Sequence, residues 1–509
     1  TCIAATSFAQ DDGSRRTGFV PGVIAVDGAR LVVAPGRVID EGVLIIRDGR
    51  IVAVGDEIEI PVEARVIDAA GLIAYPGFID AGNDELIDYS QKDSSQEGRT
   101  PDFQRDVLAA TRTDHRRGMT PEFEAQTALK LTNDRLEPRR TSGLTAVHVT
   151  PLRSVSGGQG CVTSLAGTPP RESLLLPTAF CVFRLTPPTD AGRSSHTSSY
   201  PVTVMGAAAH LRQALLDARH HQELQRLFED GHPEAVRPPR DEVLETLSEV
   251  LEGETRALFR ADSHDEIHRA LDFAQEFELT PTLIGGRDAI KCVDRLSAGK
   301  VPLLLRLDLA ETPKVEANEP SKELAAEIKD PLRYQEELLR LWHERASTAA
   351  RLMEAGVPVA FTTQGLDKPE SLLAKVRILI ENGLSEDAAL AALTSNSAEI
   401  LGVDSLLGSL EPGRLGHVIL MTGPFSNERS KVRHVIIEGR TFEYNKDAEP
   451  VGPDSDVPGE IDIAGRWLVQ IKSGEMEMTD GELVLAVEDG ALSGSFSSEQ
   501  GDGRIDSGT

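Results

Sequence analysis

Positive charge is scarce in this chain. Its 509 residues carry 53 Lys and Arg against 82 Asp and Glu, a net charge of −29. Such a surface repels phosphate backbones and acidic lipid, which argues against nucleic acid and anionic membranes as partners. Cysteine is rare too, at Cys2, Cys161, Cys181 and Cys292, with no C-x-x-C pair. That spacing argues against a zinc ribbon or a disulfide framework, although an oxidising compartment would allow a Cys161–Cys181 disulfide. No apolar run is long enough to span a bilayer. Lysine is missing altogether between Leu131 and Ile290. The histidines show no H-E-x-x-H; His210, His220 and His221 fall on one helical stretch without ligand spacing. Gly157-Gly158-Gln159-Gly160 reads as a loop, and with no Lys-Ser/Thr after it the stretch is not a phosphate cradle.

What is present has a clear order. Residues 1–9 resemble the tail of a secretory signal, with Ser7 and Ala9 as the small residues before a cleavage at Gln10. This points to an exported protein, periplasmic or extracellular. Residues 20–75 hold short β-runs, and Asp48-Gly49 between two of them is a hairpin turn. From 76 to 403, short apolar runs alternate with helical periodicity. Gly143–Val149, Arg256–Phe259, Thr280–Ile284, Val301–Leu305 and Val357–Phe361 are the strand candidates. Asp265–Ala274 repeats apolar residues at helical spacing. Such alternation predicts a parallel α/β barrel. Residues 404–445 return to β-runs. An acidic, Pro/Gly-rich linker then leads to residues 460–509, where three β-runs suggest part of a further β-rich domain.

Several motifs carry a resemblance. Pro76-Gly77-Phe78-Ile79-Asp80-Ala81-Gly82-Asn83-Asp84 resembles the P-G-F-I-D-A-H-x-H opening of an amidohydrolase barrel. Thr394-Ser395-Asn396-Ser397-Ala398-Glu399-Ile400-Leu401-Gly402 is similar to the last-helix run of that superfamily, and Leu407–Gly413 to its return to a β-sandwich. Ala146–Pro151, Ser156–Gly160 and Met205–Ala214 resemble the exported imidazolonepropionase-like branch. The resemblance spans roughly residues 22–444. It implies a TIM-type (β/α)8 barrel over 76–403 with a composite β-sandwich from 20–75 and 404–445. It also implies hydrolysis of non-peptide C–N bonds, with divalent metal held at the ends of several strands.

Position by position, the implied ligands are missing. Gly82 and Asp84 stand where two histidines bind metal. The lysine-free stretch removes the usual lysine bridge, leaving only a Glu substitute. Arg260 replaces the fifth-strand histidine, and a guanidinium cannot coordinate a cation. Gly285-Gly286 stands for the sixth strand's His-Gly. Gln364 follows Thr363 where an Asp would be ligand and proton shuttle, and an amide is no general base. A catalytic metal needs several N or O donors. The pocket candidates that remain are Asp84, His148, Arg260, Asp262 and Gln364, with Arg260 able to pair with Asp84 or Asp262. They serve either a ligand pocket or the satisfied interior of a silent barrel.

The first expectation is therefore an exported amidohydrolase-like protein, diverged or non-catalytic, whose metal-free polar pocket serves binding or structural duty, with no catalytic residues, metal or cofactor. It would bind a small molecule and assemble with itself or with an active paralogue. The alternative is an active hydrolase with rearranged ligands, holding zinc or another divalent metal through Asp84, His148 and Asp262.

Overall fold

In the computed structural model the described residues are 22–89, 119–152, 155–187, 201, 203–315 and 331–451, with strands of 465–508 beyond them. The signal-like residues 1–9 lie outside the described residues. One compact unit ends at Val451 and a second begins at Gly452.

Five strands open the first unit: β1 Val23–Ala34, β2 Arg37–Arg47, β3 Arg50–Gly55, β4 Arg65–Asp68 and β5 Ile73–Pro76. Asp48 and Gly49 turn β2 into β3 with φ of 51° and 78°. Two left-handed residues suit the strand twist, and only small or short polar side chains tolerate them.

The middle of the unit supplies β6 Phe78–Asn83, β7 Leu144–Val149, β8 Ser156–Gln159, β9 Cys161–Ser164, β10 Leu174–Leu176 and β11 Phe180–Arg184. After two helices come β12 Arg256–Ala261, β13 Pro281–Gly285, β14 Leu303–Arg306 and β15 Val359–Thr362. The chain closes the unit with β16 His417–Met421, β17 Val432–Ile437 and β18 Arg440–Glu443.

The two β-rich flanks share one sheet, ordered β18-β17-β16-β5-β1-β2-β3, with β4 also on β1. The join is the antiparallel pairing of β5 with β16. All eight strands are linked in one hydrogen-bonded network. Residues from both flanks, including Leu31, Leu44, Ile67, Val418, Leu420 and Ile436, bury one apolar cluster. Long β1 makes this geometry, because it pairs β2 along one side and both β4 and β5 along the other.

The α/β region is barrel-like without a closed ladder. Strands β11 to β15 pair in parallel in chain order, and β6 pairs in parallel with β7. They fall into two sheets, β10-β9-β7-β6 and β15-β14-β13-β12-β11-β8, where a fully closed (β/α)8 barrel was expected. At one seam Gly160 N–H donates to Phe180 O and Gly160 O accepts from Ala179. At the other the Thr362 hydroxyl donates to Gly82 O. The glycine-rich stretch at Gly157 forms β8 rather than a loop. Gly158 there has φ of 112°, with Phe123 O pressed where a side chain would start.

Alternation along the strands sorts two faces. Val182, Leu258, Ile284, Leu304 and Ala360 share one cluster inside. Phe183, Phe259, Leu283, Leu303 and Phe361 face the helices, among them Leu211, Leu247, Leu271 and Val376. His417 ties the flank sheet to this region. Its Nδ1 lies 3.0 Å from the Thr145 hydroxyl of β7, and its Nε2 lies 3.4 Å from Glu438.

In the second unit β19 Gly465–Val469, β22 Gly481–Glu488, β23 Ala491–Ser498 and β24 Gly501–Gly508 form a four-stranded antiparallel sheet; β20 Lys472–Ser473 and β21 Met476–Glu477 pair separately. The strand Gly501–Gly508 goes beyond the three runs expected there.

Candidate functional site at the strand ends

Two groups of residues occupy the C-terminal ends of the parallel strands. The first joins β6, β7, β13 and β15. Gly82 lies in buried β6, and a Cβ built on it would sit 2.6 Å from Ile284 Cδ1. Thr150 and Thr362 hydroxyls stand 3.5 Å from the same point. The space beside Gly82 is therefore filled by an isoleucine methyl and two hydroxyls.

His148 is fully buried beside it. Its Nδ1 lies 2.8 Å from Ala81 O and 3.1 Å from the Thr150 hydroxyl. A carbonyl only accepts, so Nδ1 carries the proton. Burial lowers the imidazole to about 4, partly offset by the bond to Ala81. The ring is then neutral near pH 7, and the lone pair of Nε2 is buried without a hydrogen-bond partner. It faces Gly160, where a Cβ would stand 2.6 Å away, and the ring packs 5.4 Å from Phe180.

Asp80 sits one layer below. Its Oδ1 accepts from Thr363 N at 2.9 Å and Gly82 N at 3.2 Å, and its Oδ2 accepts from the Thr363 hydroxyl. Burial pushes this carboxyl up to about 6, against the lowering by Thr363 and Gly82. Asn83 Nδ2 donates to Thr363 Oγ1 at 2.8 Å and so extends the network.

The second group lies across β12 to β15. Arg306, the last residue of β14, donates from Nη1 to Asp262 at 3.0 Å and from Nη2 to Asp308 at 2.7 Å. Gly365 packs against the same guanidinium, with no room for a side chain. Gly285, φ 126°, is equally confined, since a Cβ there would meet Asp262 Oδ1 at 2.6 Å. Asp262 thus pairs with Arg306, a residue the sequence reading passed over, on the far side of β13 from its own strand.

Of the other candidates, Asp84 and Arg260 are half-buried, Asp84 just past β6 and Arg260 within β12. Gln364 follows β15; its N–H donates to the Thr362 hydroxyl at 3.0 Å, and its Oε1 is buried without a hydrogen-bond partner. The structure unites His148 with Gly82's surroundings and Asp262 with Arg306. Asp80, Ile284 and Arg306 were the residues missed. Arg306 had a signal in the sequence, a cation ending the apolar run Leu303-Leu304-Leu305. Ile284 had none, because an isoleucine in a strand reads only as core. Cys161 and Cys181 are separate free thiols, not a disulfide, and burial pushes both up to about 12.

The described surface also has a recess of about 320 Å³ lined by Gln159, Thr178, Glu249 and Arg256. Arg256 opens β12, so this recess belongs to the opposite end of the strands. A separate set of soft and borderline donors, His264, His268 and Cys292, lies on the elements that follow β12 and β13.

Comparison with known proteins places this architecture. The amidohydrolase family model matches residues 333–442. Imidazolonepropionase of Geobacillus kaustophilus (strain HTA426) is 37% identical over 84 residues, 16% of this chain and 20% of that protein. The match spans about a fifth of the length of that curated relative. The crystal structure of an amidohydrolase from Thermotoga maritima MSB8 superposes with a TM-score of 0.63 at 21% identity, covering 83% of this chain and 100% of that one. The chain is similar to amidohydrolases in sequence over residues 333–442 and in fold over 83% of its length. That likeness of fold takes in the α/β region with its β-rich companion sheet.

Among the described residues, the strand ends do not fit the metal that the resemblance implies. Gly82 has no donor and no room for one, the Asp262 carboxylate is held by Arg306, and His148 offers one enclosed nitrogen. A guanidinium at the strand ends also repels a divalent cation at short range.

Proposed function

We propose that this protein has left metal-dependent hydrolysis and acts as a binding or structural member of the superfamily. The observation that carries the reading is the Ile284 side chain lodged against Gly82. It occupies the place from which a first-strand ligand would project, while the Arg306–Asp262 pair stabilises the neighbouring strand ends without metal. Removing one partner from such a pair leaves a poorly compensated charge, which explains why both would persist in a non-catalytic barrel.

The same reading includes export. Ser7 and Ala9 before Gln10 supply the signal pattern, so the mature chain would begin near Gln10. N-terminal sequencing of protein from its native cell tests this, and retention of residues 1–9 would count against it.

The catalytic test uses the Cys292→Ser variant, so that the donor set outside the strand ends is disarmed. Elemental analysis after gentle purification is expected to give sub-stoichiometric zinc, iron and manganese. Any hydrolysis of cyclic amides should be insensitive to chelators. One tightly held metal per chain, with hydrolysis lost on chelation and restored by metal, would overturn the reading. Asp84, His148 and Asp262 would then be the first ligands to replace.

A further inference from the structure

The helix His264–Glu276 begins directly after β12, and its first residue and the one a turn later are both histidines. Spacing of i and i+4 stacks two side chains on one face of a helix. Here the imidazole centroids are 4.5 Å apart. The short 3-10 turn Ala289–Cys292 follows β13 and ends on Cys292, which is 2% exposed. One donor atom from each of His264, His268 and Cys292 lies within 4.8 Å of the others.

We propose that His264, His268 and Cys292 form a zinc site that clips the element following β12 to the element following β13. Two imidazoles and a thiolate suit zinc better than calcium or magnesium, which prefer oxygen. Tetrahedral zinc with bonds of about 2.0–2.3 Å sets donors roughly 3.3–3.7 Å apart, so loading draws these groups inward by about 1 Å. A fourth position is left for water. The Cys292 thiol gives its proton to solvent as the Zn–S bond forms, with no change of oxidation state.

The surroundings orient two of the ligands. Asp265 Oδ1 lies 3.1 Å from His264 Nδ1, which leaves Nε2 of that ring for the metal. A carboxylate behind a ligating histidine fixes its tautomer. Cys292 Sγ lies 4.0 Å from the carbonyl oxygen of His264, so the thiol already sits on the helix N-terminus. Arg295 is the opposing element. Its Nη1 contacts His268 Nδ1 at 2.7 Å, and it also reaches His268 O and Asp272. Arg295 holds the metal-free arrangement, and loading releases it from the ring onto the remaining oxygen partners. Its charge makes the affinity adjustable rather than maximal.

The test is cobalt titration of the full chain. One equivalent of Co2+ should produce a near-ultraviolet thiolate-to-cobalt charge-transfer band together with tetrahedral visible bands, and Zn2+ should abolish both. Cys292→Ser should remove the charge-transfer band. His264→Gln, at a half-exposed position that leaves the core intact, should weaken binding at least about tenfold, the scale of losing an aligned ligand. Arg295→Gln should tighten binding. A charge-transfer band that survives Cys292→Ser, or saturation without any such band, would overturn the proposal. Metal bound at the strand ends would give no thiolate band and would ignore His264→Gln, so the two sites are told apart.

Discussion

At the scale of single residues, the strand ends are decided by contacts of one or two atoms. The Cδ1 of Ile284 and the missing Cβ of Gly82 are a matched pair. Gly82→Ala should cost roughly 1–3 kcal/mol through overpacking. Ile284→Val, which removes that Cδ1, should cost about 0.5–1.5 kcal/mol alone but restore stability in the Gly82→Ala background. Denaturant midpoints of the four proteins in this cycle check the coupling; additive values would refute it.

The buried pair Asp80 and His148 gives a second test, in pH. Asp80 rises from 3.8 to about 6, so its ionisation costs stability, and that cost vanishes as pH falls from about 6 toward 4. His148 drops from 6.5 to about 4, so stability is lost over nearly the same window as acid charges the unfolded chain's imidazole. The two slopes oppose. Asp80→Asn should therefore be stabilised relative to the parent at pH 7 but lose that advantage by pH 4. The swing is on the order of 3 kcal/mol for a shift of about two units. Chemical denaturation at several pH values reads it, and a pH-independent difference would count against the burial argument.

At the scale of elements, polar side chains finish what the backbone leaves open. Arg256 donates to Ile400 O at 2.7 Å and Leu401 O at 2.8 Å, the last carbonyls of the helix Ser395–Leu401, and stacks 4.2 Å over Phe180. A planar two-pronged donor does all three at once, which a lysine cannot. Arg256→Gln should lower stability by about 1–3 kcal/mol, and Arg256→Lys should not recover it. Ser263 and Glu266 close a capping box on the helix that carries His264 and His268. Ser263→Ala should cost about 1 kcal/mol. It should also weaken the proposed zinc clip by fraying the first turn. Thermal melts with and without zinc measure both effects.

At the scale of the whole molecule, the net charge of −29 opposes compaction. Raising sodium chloride from about 0.01 to about 0.15 M shortens the screening length from about 30 to about 8 Å. The melting temperature should rise over that range, where a protein held mainly by surface ion pairs would lose stability. No helix among the described residues is long and apolar enough to cross a membrane.

Local rules made much of this protein legible before its structure. Asp48-Gly49 allows little but a tight hairpin, because two successive left-handed residues suit few other sequences. The helix at His264–Glu276 is written in the apolar spacing of Asp265–Ala274. The loss of donor atoms at Gly82, Arg260, Gly285 and Gln364 is a matter of residue identity alone. What the chain order could not disclose is who meets whom across strands. Asp80 binds Thr363 across 283 residues of sequence. Asp262 finds Arg306 rather than Arg260, Ile284 fills the gap at Gly82, and Cys292 reaches two histidines on another helix. Each depends on strand register and on how the seams between sheets come together. A shift of one residue would turn those that lie on strands to the opposite face.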